Sequence, residues 1–260
     1  MFQGLKPFEN TSNKRFAIAI VVTAVVILAV WQFYPSYILP RPWETVQRGI
    51  SLFQRGLIGD IGVSVWIIMR AGLISFAVGS VISYALFLAD LKPTVHFIAI
   101  LRCLPMSAPV VLLLTLHFNG DDLKLYTMVF IITVYFVAAN VQSNFGINPQ
   151  MVYHGFTLGM SRWQILWHRV IRGGMFYNIM NFIPNLGMGW SMLTLIEGLS
   201  RSSGGIGDVM LQQEKIFSFS GIAALCVLSG SLGFIMWLTL TYANKELHPY
   251  GAAKTQSQGT

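Results

Sequence analysis

Charge is what this chain has least of: 17 Lys and Arg and 10 Asp and Glu amount to 10% of its 260 residues, where a soluble domain carries roughly 25%. So few charges cannot solvate a 29.0 kDa globule, which excludes an ordinary water-soluble domain. Cysteine is almost missing too. Cys103 and Cys226 lie in apolar runs with no second Cys or His at ligand spacing. Both are expected to behave as small hydrophobes, with neither a disulfide framework nor a zinc site. No G-x-x-x-x-G-K-S/T occurs, so the chain cannot cradle nucleotide phosphates in a P-loop, and any ATP-driven work falls to another subunit. The five histidines are scattered without an H-E-x-x-H, and no serine sits in a G-x-S-x-G elbow. Catalytic and metal-ligating residues are therefore expected to be none, and the chain is not expected to be an enzyme or to hold a cofactor.

What is abundant is apolar surface: 54% of the residues are hydrophobic and the mean hydropathy is +0.61. An all-α integral membrane protein follows. A bilayer core of about 30 Å needs about 20 apolar residues per helix. Six stretches meet that length: Phe16 to Tyr34, Ala71 to Leu88, Val95 to Phe118, Leu125 to Phe145, Gly173 to Ile196 and Ile216 to Asn244. The first is too long for a signal h-region and is followed by Leu39-Pro40-Arg41-Pro42 instead of a small-residue cleavage site, so it is expected to be a retained anchor. Arg102 is the one charge inside the six, placed either to snorkel to the interface or to serve function.

The formal net charge of +7 would suggest nucleic acid in a soluble protein; here it reads as an orientation signal. With the N-terminus inside, Lys6, Lys14, Arg15, Lys92, Arg162, Arg169, Arg172, Lys245 and Lys254 face the cytoplasm. Arg41, Arg48, Arg55, Lys124, Arg201 and Lys215 face away, with seven acids among them. The bias predicts N-in and C-in. Between the first two spans, Val46, Ile50, Phe53 and Leu57 recur at helical spacing after Pro40 and Pro42, predicting a short amphipathic helix on the outer face. One domain is expected: a cytoplasmic N-terminus over 1–15, a transmembrane domain over 16–245, and a flexible tail over 246–260.

The longest interruption between spans is the cytoplasmic segment 149–172. Gly159 suits the end of one short helix, and Ser161 suits the N-cap of a second running from Arg162 to Ile171, giving an L-shaped elbow. Composition alone favours a plain interfacial connection. In the fifth span Asn178, Asn181 and Asn185 share one helical face, either lining a path or bonding helix to helix. Asn140 and Ser143 in the fourth span fit either role. Ser75, Gly79 and Ser83, at i, i+4 and i+8, predict close helix packing.

Leu158, Gly159, Ser161, Trp163 and Gln164 resemble the EAA loop of the membrane permeases of type I ATP-binding-cassette (ABC) importers, specifically the nitrate, sulfonate and taurine group. Tyr153, His154 and Gly155 occupy the E-A-A positions, and Arg172 that of the final Pro. Four more stretches are similar to the same group. Leu39-Pro40-x-Pro42 with Val46, Gly56-Leu57 and Ser64 resembles its opening segment, although Ile67 stands where Arg is expected. Leu101-Arg102 with Pro105 and Ala108 resembles the start of its third span. Gly189-Trp190 with Glu197 resembles its fifth, and Gly205-Ile206-Gly207 the G-L-G that follows.

The resemblance spans roughly residues 38 to 245 and implies a MetI-like permease core of six transmembrane helices in a bacterial inner membrane. Two permease subunits, a homodimer sooner than a heterodimer, form the pore. Cytoplasmic ATPases carry the ATP and Mg, and an extracytoplasmic binding protein delivers a small solute such as an oxyanion or sulfonate. The coupling residues are then Tyr153, His154, Gly155, Phe156, Leu158, Gly159, Met160, Ser161, Arg162 and Trp163. The path candidates are Arg102, Asn140, Asn178, Asn181 and Asn185. The altered E-A-A leaves open a membrane scaffold or regulatory subunit, or one half of a heterodimeric permease. A self-powered secondary transporter is disfavoured, since the spans offer only Glu197, near an outer end, as a buried acid for proton coupling and no inverted repeat is visible.

Overall fold

A computed structural model describes residues 13–33, 40–89, 120–146, 149–200 and 204–249, with a few isolated positions between 97 and 112. Every regular element among them is helical: α1 (Asn13–Phe33), α2 (Pro42–Gln54), α3 (Leu57–Leu88), α4 (Gly120–Phe145), α5 (Pro149–Thr157), α6 (Arg162–Ile165), a π-helical turn (Leu166–Ile171), α7 (Arg172–Leu199), α8 (Ile206–Lys215) and α9 (Phe219–Leu247). Four of the described helices, α3, α4, α7 and α9, are long and apolar enough to cross a membrane. The chain is thus an all-α protein built for repeated membrane crossing. A 21-residue helix, α1, occupies the place of the first expected span. Most of the third, Val95 to Phe118, with Arg102 and Cys103, lies outside the described residues.

Several boundaries differ from expectation, each for a physical reason. The amphipathic helix stops at Gln54, because Gly56 takes a left-handed φ of 98° that only glycine adopts without strain. Leu57 therefore opens α3 instead of closing α2. The helix α3 begins well before Ala71 and runs for 32 residues, about 48 Å at 1.5 Å per residue, longer than a bilayer core. Its early turns carry Asp60 and Ser64, polar residues that a hydropathy ruler trims away but that find partners in the fold. Likewise α4 starts at Gly120, ahead of Leu125. In α9, Glu246 and Leu247 complete the last turn of the helix, so they do not belong to a loose tail. The separate helix α8 has no counterpart among the expected elements.

The largest helix interface pairs α3 with α4, followed by α4 with α7. Phe76, Phe136 and Phe182, one from each helix, form a triangle with ring centroids 5.1–5.6 Å apart, a geometry that adds attraction beyond buried area. The small-residue stripe on α3 behaves as expected. Ser75, Gly79 and Ser83 are fully or almost fully buried, and a Cβ at Gly79 would sit 2.6 Å from the Phe136 ring. On α7, Trp190 donates its indole N–H to the Ser229 carbonyl at 2.9 Å and lies over Gly233, fastening α9. Pro184 removes one N–H from the α7 ladder, while the Asn185 amide donates to the nearby Asn181 carbonyl at 2.6 Å.

The helix α2 is two-faced. Val46, Ile50 and Phe53 are exposed, as a lipid-facing stripe requires, while Thr45, Leu52 and Gly49 turn inward, Gly49 against Ala224 of α9. Replacing Gly79 by Val should destabilise the chain by about 1–3 kcal/mol through overpacking against Phe136. Gly187→Ala, where nothing lies within 4 Å of the new Cβ, should be neutral or mildly stabilising. Unfolding titrations in mild detergent measure both; equal effects would refute the close-packing account.

Candidate functional site

The bundle has two unlike ends. At one, α5, α6 and the π turn join the start of α7 and the close of α9, elements that carry Arg162, Arg172 and Lys245 with Glu246. At the other, α2, α8, the starts of α3 and α4 and the close of α7 carry Glu44, Asp60, Asp121, Asp122, Glu197, Asp208 and Glu214 with five bases.

The elbow at the basic end is built by two local rules. Gly159 has a φ of 72°, and the N–H groups of Gly159 and Met160 donate to the carbonyls of Phe156 and Gly155 at 3.0 and 3.1 Å. That is the double bond pattern of a Schellman C-cap, which needs a left-handed residue at the corner. Two residues on, Ser161 accepts from the Gln164 N–H at 3.3 Å while its own N–H donates to the Gln164 side chain at 2.8 Å. This reciprocal capping box satisfies two donors that helix starts otherwise leave orphaned. The second arm differs from the expected helix in one respect: after Ile165 it widens into a π turn before entering α7.

Between the arms, Gly155 is buried against Ile165, whose Cγ1 would lie 2.7 Å from any Cβ added there. Around that contact the large apolar side chains point outward. Tyr153 is 67% exposed and Trp163 72%, with Phe156, Leu158 and Trp167 also exposed. His154 and Arg162 are exposed, and Met160 is half-buried. The elbow is a capped corner with an apolar outer surface.

The asparagine stripe faces inward. Asn178 donates to Tyr84 at 3.1 Å and Ser80 at 3.3 Å on α3, and Asn181 to Ser143 on α4 at 2.8 Å. The amides thus bridge α7 to both neighbours within one chain. Asn140 is buried on α4, and its Nδ2, like Oδ1 of Asn178, has no hydrogen-bond partner among the described residues. Of the path candidates, Arg102 lies outside the described residues.

At the opposite end is a network that sequence reasoning missed as a unit. Glu197, the last acid of α7, is 0% exposed. Its Oε1 accepts from Ser64 Oγ at 2.6 Å and its Oε2 from the Gly207 N–H at 2.8 Å. Ser64 in turn accepts the Ile206 N–H at 2.9 Å, and Asp60 accepts that of Gly205 at 3.3 Å. Gly205 has no side chain to cap α8, so residues of α3 and α7 satisfy the orphan donors at its start, where the helix dipole favours a carboxylate. A Cβ at Gly207 would collide with the Thr194 carbonyl. Lys124, also 0% exposed, donates to the Gly204 carbonyl at 3.0 Å and lies 3.7 Å from Asp121. Arg48 of α2 reaches Gln213 of α8 at 3.1 Å. The signal was present in pieces, a serine, a glutamate and a G-x-G, each too weak alone to announce the others.

No protein-family model matches the chain, and no curated protein matches it. Among the described residues, no group of three or more His, Cys, Asp or Glu is placed to hold a metal ion.

Glu197→Ala should cost about 3 kcal/mol, since it strips the acceptors from Ser64 and Gly207 at once. Ser64→Ala should cost about 1–2 kcal/mol. The double variant should fall well short of the sum, because both act on one network. A detergent unfolding cycle reads this coupling, and strict additivity would dissolve the network as a unit.

Proposed function

We propose that the chain is the permease subunit of an ATP-driven importer of the type I ABC class, with the elbow as the knob that a separate ATPase grips. The observation that carries the reading is the elbow's combination of rigidity and apolar exposure. Contact with lipid needs only apolar area, whereas docking in a partner's groove needs that area held in a fixed shape. The Schellman turn at Gly159 and the capping box at Ser161 and Gln164 supply the shape. Tyr153, Phe156, Leu158 and Trp163 supply the anchors.

A second observation supports it. Ser64, Glu197 and Gly205-Ile206-Gly207 resemble the permease group's motifs at three separate places in the chain, and they meet in one buried network. Residues that matched by chance would have no reason to be neighbours. On this reading α1 and the stretch 95–118 complete six spans, N-in and C-in, in a bacterial inner membrane. A second permease subunit pairs with this one, and a binding protein presents a small solute, an oxyanion or sulfonate by analogy, to the face near Glu197.

One observation favours a scaffold or regulatory subunit instead. Tyr153 stands in the position of the family's Glu and carries no charge for a basic partner group. The two readings part in a pull-down of the tagged full chain from detergent extract, followed by an ATPase assay. A P-loop ATPase should come down with the native chain. Trp163→Ala should reduce the recovered hydrolysis by about 10-fold or more, as loss of an aromatic anchor does. Gly159→Pro, which forbids the left-handed corner, should abolish it. A folded chain that captures no ATPase would leave the scaffold reading.

A further inference from the structure

Beside the elbow, at the basic end, the π turn, the first turn of α7 and the end of α9 enclose a cleft of about 700 Å³. Its walls are mainly apolar, including Trp167, Met175, Phe176 and Leu247, and two cation-capable side chains, Arg172 and His248, stand among them. No acid lines it. Arg172 is exposed and makes no ion pair among the described residues. The His248 ring meets Phe176 edge-on at 6.4 Å. A guanidinium and an imidazole on an otherwise apolar wall, with no carboxylate among the described lining residues, leave the cleft open to an anion from outside the chain.

We propose that this cleft is a binding site for one anionic phospholipid, with its phosphate on Arg172 and His248 and its acyl chain along Trp167, Met175 and Leu247. Three features argue for a lipid over other anions. The cleft lies at the ends of two helices that are long and apolar enough to cross a membrane, α7 and α9, the level where headgroups reside. Its apolar wall is far larger than a free phosphate needs, and matches a chain attached to the anion. Trp167, exposed and lining the same cleft, has the amphipathic character favoured at that depth. Basic clefts between spanning helices take anionic headgroups for the same reasons. The π turn contributes by widening the backbone at Leu166–Ile171, where α-helices depart from regularity at functional sites.

The test uses the full-length chain, purified in mild detergent and supplied with equimolar phosphatidylglycerol and phosphatidylcholine, with retained lipid counted by native mass spectrometry. The native chain should keep the anionic lipid about 10-fold over the zwitterionic one, corresponding to 1.4 kcal/mol. Arg172→Gln combined with His248→Gln should erase that preference, and Arg172→Lys should keep most of it. Lys215→Gln, the same charge change at the far end, should leave it intact. Preference surviving in the double variant, or lost equally in Lys215→Gln, would overturn the assignment. Displacement of the lipid by millimolar inorganic phosphate as readily as by short-chain phosphatidylglycerol would assign the site to free phosphate and overturn it too. If the double variant fails to fold, a photoactivatable phosphatidylglycerol on the native chain decides. Crosslinks should fall on the peptides bearing Trp167 and Leu247, and crosslinks only elsewhere refute the site.

Discussion

A carboxylate removed from water must be satisfied by the protein itself, and the far end of this bundle is organised around that demand at Glu197. Isolated, the charge would cost several kcal/mol to bury. Here it accepts one hydroxyl and one backbone N–H, and it faces the start of α8, where aligned peptide dipoles favour a negative group. The arrangement solves a second problem at the same time. Gly205 leaves α8 without its own cap, and the orphan donors at Ile206 and Gly207 would otherwise be stranded in a buried corner. One serine and one glutamate from two long helices thus complete the end of a short third helix. Hydrophobic burial cannot set this registry, because Leu, Ile and Val surfaces slide along one another at little cost. A short hydrogen bond from α3 to α7 does set it.

The long helices were legible because their apolar runs exceed what any soluble core requires, and the fifth expected span matches α7 within three residues at either end. The elbow was legible for a different reason: its two caps are local, written in Gly159 and in the S-x-x-Q of Ser161 and Gln164, and need no tertiary contact to form. The start of α3 was not legible. Asp60 and Ser64 look like loop residues until Gly205 and Glu197 stand beside them, and those partners lie more than 130 positions away. Lys124 is the same case. As a sequence feature it is an outer-loop base; in the fold it is buried, and its ammonium holds the Gly204 carbonyl. Hydropathy counts charges one at a time, and it errs where two distant polar groups cancel.

The asparagines of α7 illustrate how a residue type can be read and its role left undecided. Spacing placed Asn178, Asn181 and Asn185 on one face, but whether that face met water or protein depended on the neighbours. With Ser80, Tyr84 and Ser143 opposite, Asn178 and Asn181 spend their amides between helices, while Asn185 turns back onto its own. Such bonds are worth only about 0.6–2 kcal/mol each in a membrane, so they orient the helices more than they stabilise them.

One continuous helical path joins the elbow to the far end. From Ser161 the chain passes through α6 and the π turn into α7 without a loop, and about 38 Å of α7 at 1.5 Å per residue leads from Arg172 to Glu197. On the proposed reading, a partner that displaces Trp163 acts on a lever whose far tip carries the carboxylate that orders α8. The π turn lies near the fulcrum, where the ladder is irregular and least resistant to rotation. Pro184, which leaves the Met180 carbonyl without its helical donor, gives α7 a second compliant point. Rigidity at the elbow, compliance at two places along the helix and a hydrogen-bonded tip are what a coupled motion requires. A scaffold requires only the tip. The two capped turns of the elbow are thus the costlier feature to explain without a partner, and the importer reading is the one that uses them.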